Sequence, residues 1–139
     1  MGDTAGFEIL EHTADVGVRG WGATVEEAFT QATLGLLDIL GVWHPDLSGE
    51  REEISVEAHD LGALLVDWLG EILYLQDTRD VVVSGFEVSS VDDGRAGGWV
   101  ELAPRPAEIE GTAVKAITYH QLVVEQRGES WIAQVFLDI

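Results

Sequence analysis

The spacing of the apolar residues changes near residue 80, and this change restricts the folds open to the chain. Before it, residues 24–41 and 60–77 repeat apolar side chains every three or four positions, which predicts two amphipathic helices. After it, apolar and polar residues alternate, as they also do at residues 7–18 and 53–59, which predicts β-strands. The order of these segments predicts an α+β domain: a mostly antiparallel sheet with two α-helices packed on one face.

Capping residues predict where both helices begin and where the first one ends. Thr24 followed by Glu27 fits a capping box, and Gly41 suits the left-handed conformation that ends many helices. Asp60 is the expected N-cap of the second helix. The last two strand segments, separated by RGES, are expected to form an antiparallel hairpin.

The size and composition of the chain predict one domain spanning residues 1–139. A hydrophobic share of 46%, with five tryptophans among 139 residues, is enough to build a core. No apolar run approaches the roughly 18–20 residues needed to cross a bilayer, and no secretory signal is visible, so no membrane association and a cytoplasmic location are expected. The absence of cysteine excludes disulfides and thiolate metal sites.

The net charge is the most unusual property of the sequence. Twenty-six acidic residues oppose seven Lys and Arg, for a formal charge of −19, and Lys115 is the only lysine. Such a surface repels phosphate backbones, so direct and stable binding of nucleic acid is not expected. Adaptation to a salty cytoplasm explains the acidic excess, and so does attraction to cations or to a basic protein partner. The sequence leaves both explanations open, together with the oligomeric state.

Polar residues at both ends of the chain suggest a cation site. Asp138 and the terminal carboxylate of Ile139 place two negative groups on adjacent residues, which repel each other unless a cation or water lies between them. Hard divalent cations prefer such oxygen ligands, and Asp15 is the best candidate for a third carboxylate. A solvated strand end is the alternative, and the terminal residues taken alone favour it over a cation site.

The remaining polar candidates have ordinary structural explanations. His12 and Asp15 are three residues apart, a spacing that is common in turns, and Lys115 could be a salt-bridge partner. In a regular strand Lys115 and His120, five residues apart, would point to opposite faces. No serine-hydrolase order, zinc-type histidine spacing or P-loop is visible. The residues alone therefore predict an acidic α+β domain with a candidate cation site.

Four segments of the chain resemble sequence blocks of the archease family, in the same order. They are HTADVGVRGWGATVEEAFTQAT near the amino-terminal end, then LLVDWLGEILYL, VKAITYH and the final LDI. Together they span nearly the whole chain, and the combination is specific although no single block is. One departure is Gly70, which stands in the second helix where the family often has a polar residue.

The resemblance implies a non-catalytic protein cofactor of the RtcB-type tRNA-splicing RNA ligase, which joins RNA ends using GTP and Mn²⁺. It implies that the chain promotes guanylylation and multiple turnover of that ligase. The metal-binding positions of the family fall on Asp15, Asp138 and Ile139, which predicts a divalent cofactor ion (Ca²⁺, Mg²⁺ or Mn²⁺). Lys115, His12 and His120 match motif positions and are expected to serve partner contact or activation. A chaperone-like protein-binding module is the alternative, and a stand-alone metal-dependent hydrolase is a further one.

Overall fold

The computed structural model of the chain describes residues 5–11 and 15–139. Two helices and seven strands follow one another in that part of the chain. The elements are β1 (Gly6–Glu11), β2 (Asp15–Gly22), α1 (Val25–Leu40), β3 (Glu50–Glu57), α2 (Leu61–Thr78), β4 (Val81–Asp92), β5 (Arg95–Pro104), β6 (Ala116–Arg127) and β7 (Ser130–Asp138).

The strands form two antiparallel sheets. One sheet has the order β1-β2-β7-β6 and the other the order β3-β5-β4. The predicted α+β class, its antiparallel strands and its two helices are confirmed, and so is the antiparallel hairpin of β6 and β7. The division into two sheets places β6 and β3 at sheet edges, because each has a strand neighbour on one side.

Helix α1 begins and ends at the predicted residues. The hydroxyl of Thr24 accepts a hydrogen bond from the Glu27 N–H at 3.1 Å, and the Glu27 carboxylate accepts the N–H of Ala23 at 2.8 Å. The reciprocal bond of this capping box therefore goes to the residue before the cap. Gly41 ends the helix with φ 72°, and its N–H bonds to the carbonyl of Asp38.

Two small residues let α1 lie close to the four-stranded sheet. A side chain at Gly20 of β2 would come within 2.6 Å of the α1 backbone at Ala32. A side chain at Gly35 of α1 would come within 2.4 Å of Val18. The α1 backbone therefore lies against Gly20 and the Val18 side chain lies against Gly35, and these two contacts fix β2 beneath α1.

Helix α2 supplies much of the core and leaves one face to solvent. The carboxylate of Asp60 accepts the Ala63 N–H at 2.8 Å, as expected of its N-cap. Trp68 is fully buried, and its indole N–H donates to the hydroxyl of Thr33 on α1 at 3.1 Å. That hydroxyl in turn donates to the Phe29 carbonyl at 2.7 Å, so the two helices share a satisfied polar contact inside the core.

Neither of these helices is long and apolar enough to cross a membrane.

Candidate functional site

Two of the predicted ligands, Asp15 and Asp138, lie directly opposite each other on neighbouring strands. Asp15 opens β2, Asp138 ends β7, and the antiparallel register pairs the two residues. Residues paired in this way point to the same face of a sheet, with Cβ atoms about 4.5–5.5 Å apart. Leu137 is fully buried, so alternation along β7 turns Asp138 away from the core, where it is exposed.

Lys115 reaches the same place from the other side of β7. Its backbone N–H donates to the Asp138 carbonyl at 2.7 Å, and the next residue, Ala116, pairs with Asp138 in the β6–β7 ladder. Ile139 follows Asp138 directly and is 37% exposed. The structure therefore brings together residues 15, 115, 138 and 139 from distant parts of the sequence. His12 lies outside the described residues.

A bulge in β6 holds His120. Thr118 pairs with Phe136, and the next pair is Val123 with Gln134, so β6 advances five positions while β7 advances two. These three extra residues interrupt the regular alternation that the sequence analysis assumed for Lys115 and His120. The backbone turns at Gln121, which has φ 51°.

The imidazole of His120 lies edge-on to the ring of Phe136, with centroids 5.9 Å apart. Phe136 precedes Asp138 by two residues on β7, so the aromatic ring and the carboxylate lie on the same face of the sheet. This face is opposite to the one on which Leu137 packs into the core, and we call it the outer face. That ring also covers Gly17 of β2, where a Cβ would lie 2.8 Å from it. His120 is thus one step along the sheet from the acidic pair, and the neighbouring Tyr119 is 62% exposed.

A chain of polar side chains supports the bulge. Arg19 donates to Glu8 at 3.0 Å and to the side-chain oxygen of Gln134 at 2.8 Å. The amide group of Gln134 donates to the Gln121 carbonyl at 2.9 Å, and the Gln121 side chain lies 3.2 Å from Nε2 of His120. Sequence reasoning missed Arg19, Gln134 and Gln121 as parts of this site, because no motif marks them and only the strand register connects them.

The acidic pair provides some, but not all, of the oxygen ligands that a hard cation needs. Asp15 and Asp138 offer carboxylate oxygens on one face, the ligand type that Ca²⁺ and Mg²⁺ prefer. Within residues 5–11 and 15–139, no group of three or more His, Asp or Glu side chains is placed to hold a metal ion. A site built here therefore needs the main-chain oxygens of Ile139, water or an incoming ligand to complete its coordination. That these residues bind a metal stays a prediction.

Comparison with known proteins identifies the family. A sequence profile of the Archease protein family (MTH1598/TM1083) matches residues 7–139. The chain belongs to the archease family. The resemblance inferred from its four sequence blocks is thereby confirmed, and the match includes β4 and β5, for which none of those blocks accounts.

Archaeal relatives match along almost their full length. The Protein archease of Methanosarcina mazei is 37% identical over 141 residues, which cover 96% of this chain and 95% of that protein. The Protein archease of Thermococcus kodakarensis is 39% identical over 141 residues, with coverage of 96% and 98%.

Solved structures share the fold. The solution structure of Methanobacterium thermoautotrophicum protein 1598 matches with a TM-score of 0.76 at 27% identity, covering 96% of this chain and 99% of that one. A Thermotoga maritima crystal structure, described as an archease and possible chaperone, matches with a TM-score of 0.64 at 22% identity, covering 95% and 96%. The second likeness is one of fold alone.

Proposed function

We propose that the chain is a non-catalytic activator of an RtcB-type tRNA-splicing RNA ligase in the cytoplasm. In this role it promotes guanylylation of the ligase and its multiple turnover in tRNA splicing and RNA repair. Membership of the archease family supports the proposal, since the family resemblance implies this partner. The observation that carries it is the register pairing of Asp15 with Asp138, with Lys115 bonded to the same strand end.

The acidic pair forms the metal-binding part of the proposed site. Asp15, Asp138 and the main-chain oxygens of Ile139 would hold a divalent ion, either Ca²⁺, Mg²⁺ or Mn²⁺. Such an ion supplies neutralisation of phosphate charge, which favours nucleotidyl transfer from GTP. The coordination that residues 5–11 and 15–139 provide is incomplete, so oxygen atoms of the partner or its nucleotide have room to join it.

The surrounding residues make the contact with the partner. Lys115 supplies a cation beside the carboxylates, where it attracts nucleotide phosphate or an acidic group of the ligase. His120 and the exposed Tyr119, presented by the β6 bulge, extend the contact surface along the outer face. His12 belongs to the same motif block as Asp15 and takes a similar role. A ligase that binds RNA presents basic groups, to which a chain of charge −19 is complementary.

A guanylylation assay tests this proposal. Purified ligase is mixed with limiting amounts of this protein and GTP, and ligase–GMP formation and multiple-turnover ligation are followed. Wild-type protein should raise both, and Asp138→Asn should lose most of the stimulation because the site keeps only one of its two side-chain carboxylates. The control is Asp46→Asn, which removes the same charge from an exposed turn residue. Stimulation by Asp138→Asn equal to that by the control would refute the assigned role of the acidic pair.

The alternative is a chaperone-like protein-binding module. It is favoured by the exposed side chains of Tyr74, Tyr119 and Ile139, which are 62%, 62% and 37% accessible. Such a module would suppress aggregation of unrelated unfolded proteins without metal, and Asp15→Ala would leave that effect intact. A metal-dependent hydrolase would instead turn over phosphoesters on its own and stop when EDTA is added. Incubating the purified protein with an aggregating client and with a phosphoester panel separates these functions from ligase activation.

A further inference from the structure

A groove runs along the exposed face of α2, between the edge strands of the two sheets. Its floor is apolar, formed by Val66 and Leu73 of α2 with Val56 of β3 and Ile117 of β6. It encloses about 550 Å³ and is open to solvent. The groove is therefore a surface depression with room for side chains of another molecule, and we refer to it as the α2 groove.

Gly70 keeps the α2 groove open. It lies in the interior of α2, where glycine costs about 0.5–1 kcal/mol relative to alanine. A Cβ at this position would have no heavy atom within 4 Å, whereas Gly20 and Gly35 are required by close helix–sheet packing. No contact among the described residues explains Gly70. Its effect is to leave the middle of the groove free of a side chain.

The rim of the α2 groove is acidic. Glu57 of β3 and Asp67 and Glu71 of α2 line it, and all three are exposed. None of them is in an ion pair with another residue of the described chain. Arg95, which faces Glu57 in the β3–β5 register, donates instead to the hydroxyl of Ser55 at 3.1 Å, so an incoming basic group would find three carboxylates outside any ion pair.

One kind of occupant fits this combination of apolar floor and acidic rim. We propose that the α2 groove docks a basic segment of the RNA ligase, which inserts an apolar side chain beside Gly70 and sets Lys or Arg against Glu57, Asp67 and Glu71. The identity of the partner rests on the proposed function, but the chemistry of the segment follows from the groove itself. A second copy of this chain would bring a charge of −19 and a single lysine to the same acidic rim, and RNA would bring phosphates.

One end of the α2 groove lies on β6, the strand next to β7, which carries Asp138. Ala116 and Ile117 line one end of it, and Ala116 pairs with Asp138 across β6 and β7. The exposed Tyr74 lies one helical turn beyond Gly70 on the same face of α2. Lys115 precedes Ala116 and its N–H bonds to the Asp138 carbonyl, so a partner seated in the groove can reach around the β6 edge and make the activating contact on the outer face.

Titration calorimetry with purified ligase tests the proposal. Gly70→Leu fills the groove, whereas Gly70→Ala makes the same backbone change and leaves the groove almost empty. Gly70→Leu should raise Kd at least tenfold, equivalent to about 1.4 kcal/mol, and Gly70→Ala should bind like wild type. Asp67→Lys with Glu71→Lys should weaken binding similarly, and more than the control pair Asp46→Lys with Glu108→Lys, which lie outside the groove lining.

The outcomes separate this proposal from the proposed function. If wild type binds the ligase and Gly70→Leu and Gly70→Ala bind it equally well, the proposed docking in the α2 groove is wrong. The proposed activation of the ligase would not be affected by that result. Failure of the wild-type chain to bind the ligase would overturn both. Sedimentation of wild type and Gly70→Leu is measured in parallel, because a wild-type dimer that Gly70→Leu dissociates would assign the groove to a second copy instead. Circular dichroism confirms that each variant is folded.

Discussion

Replacing Asp138 by asparagine should stabilise the protein without metal and remove its response to metal. Two unit charges about 5 Å apart repel by about 0.8 kcal/mol in water, since the energy is about 332/(80 × 5). The register pairs Asp15 with Asp138, residues paired in this way have Cβ atoms about 4.5–5.5 Å apart, and Asp138 is exposed to solvent. At about 4 °C per kcal/mol for a domain of this size, Asp138→Asn should raise Tm by about 3 °C in EDTA at low salt.

Divalent metal should reverse the order of thermal stability, so that wild type becomes more stable than Asp138→Asn. A ligand that binds only the folded state, present at 100 times its Kd, stabilises that state by about 2.7 kcal/mol. The wild-type Tm should then rise by about 10 °C. Asp138→Asn keeps one carboxylate of the pair and should gain little, so it becomes the less stable protein once metal is added.

Thermal unfolding followed by circular dichroism measures both effects, in EDTA and in separate titrations of Ca²⁺, Mg²⁺ and Mn²⁺. Asp46→Asn is the control, because it removes one charge from an exposed residue outside the site and reports the nonspecific response of an acidic surface. An Asp138→Asn protein that matches this control in EDTA and gains as much Tm from metal as wild type would refute the reasoning. Such a result would mean that the facing carboxylates are solvated independently.

Three further substitutions test the packing that supports the site. Thr33→Val should lower the unfolding free energy by about 1–3 kcal/mol in a urea titration, because it leaves the buried indole N–H of Trp68 without an acceptor. Thr30→Val is the control, because it removes only a hydrogen bond to the helix backbone, and it should lower the unfolding free energy less. Gly70→Ala should raise that free energy by up to about 1 kcal/mol, since the added methyl meets no neighbour. Gln134→Ala should increase the rate of amide hydrogen exchange in the β6 bulge, because it removes the bond to the Gln121 carbonyl. An unchanged rate would show that this bond does not stabilise the bulge.

The helices were predictable because their signals are local. The stripe of buried residues on α1, with Thr24 at one end and Gly41 at the other, is contained in consecutive residues and is seen in the structure. The same holds for α2 after Asp60. The alternation of apolar and polar residues similarly identified the strands, because the polarity of each side chain reflects whether it faces the core or the solvent. Nothing in these local patterns states which strand lies beside which, so the division into two sheets came only from the structure.

The β6 bulge could not be predicted for a related reason. Residues 116–126 read as an uninterrupted strand, and a non-glycine residue, Gln121, takes the positive φ that turns the backbone. What stabilises this conformation is remote in sequence: the amide of Gln134 on β7, which is itself held by Arg19 on β2. The position of His120 is therefore set by three strands together and cannot be inferred from its spacing to Lys115.

The pairing of Asp15 with Asp138 is likewise a product of register. The Phe136 ring fills the space that Gly17 leaves, and the Arg19 side chain bonds to that of Gln134, so both contacts fit only the observed alignment of β2 with β7. A slip of one residue would turn one acid toward the core face, because adjacent residues of a strand point to opposite faces. The ordinary packing of the outer face, two and four residues away, thus determines that the carboxylates meet. An acidic surface of any composition could carry these charges, but only this alignment places two of them on one face at the strand end bonded to Lys115.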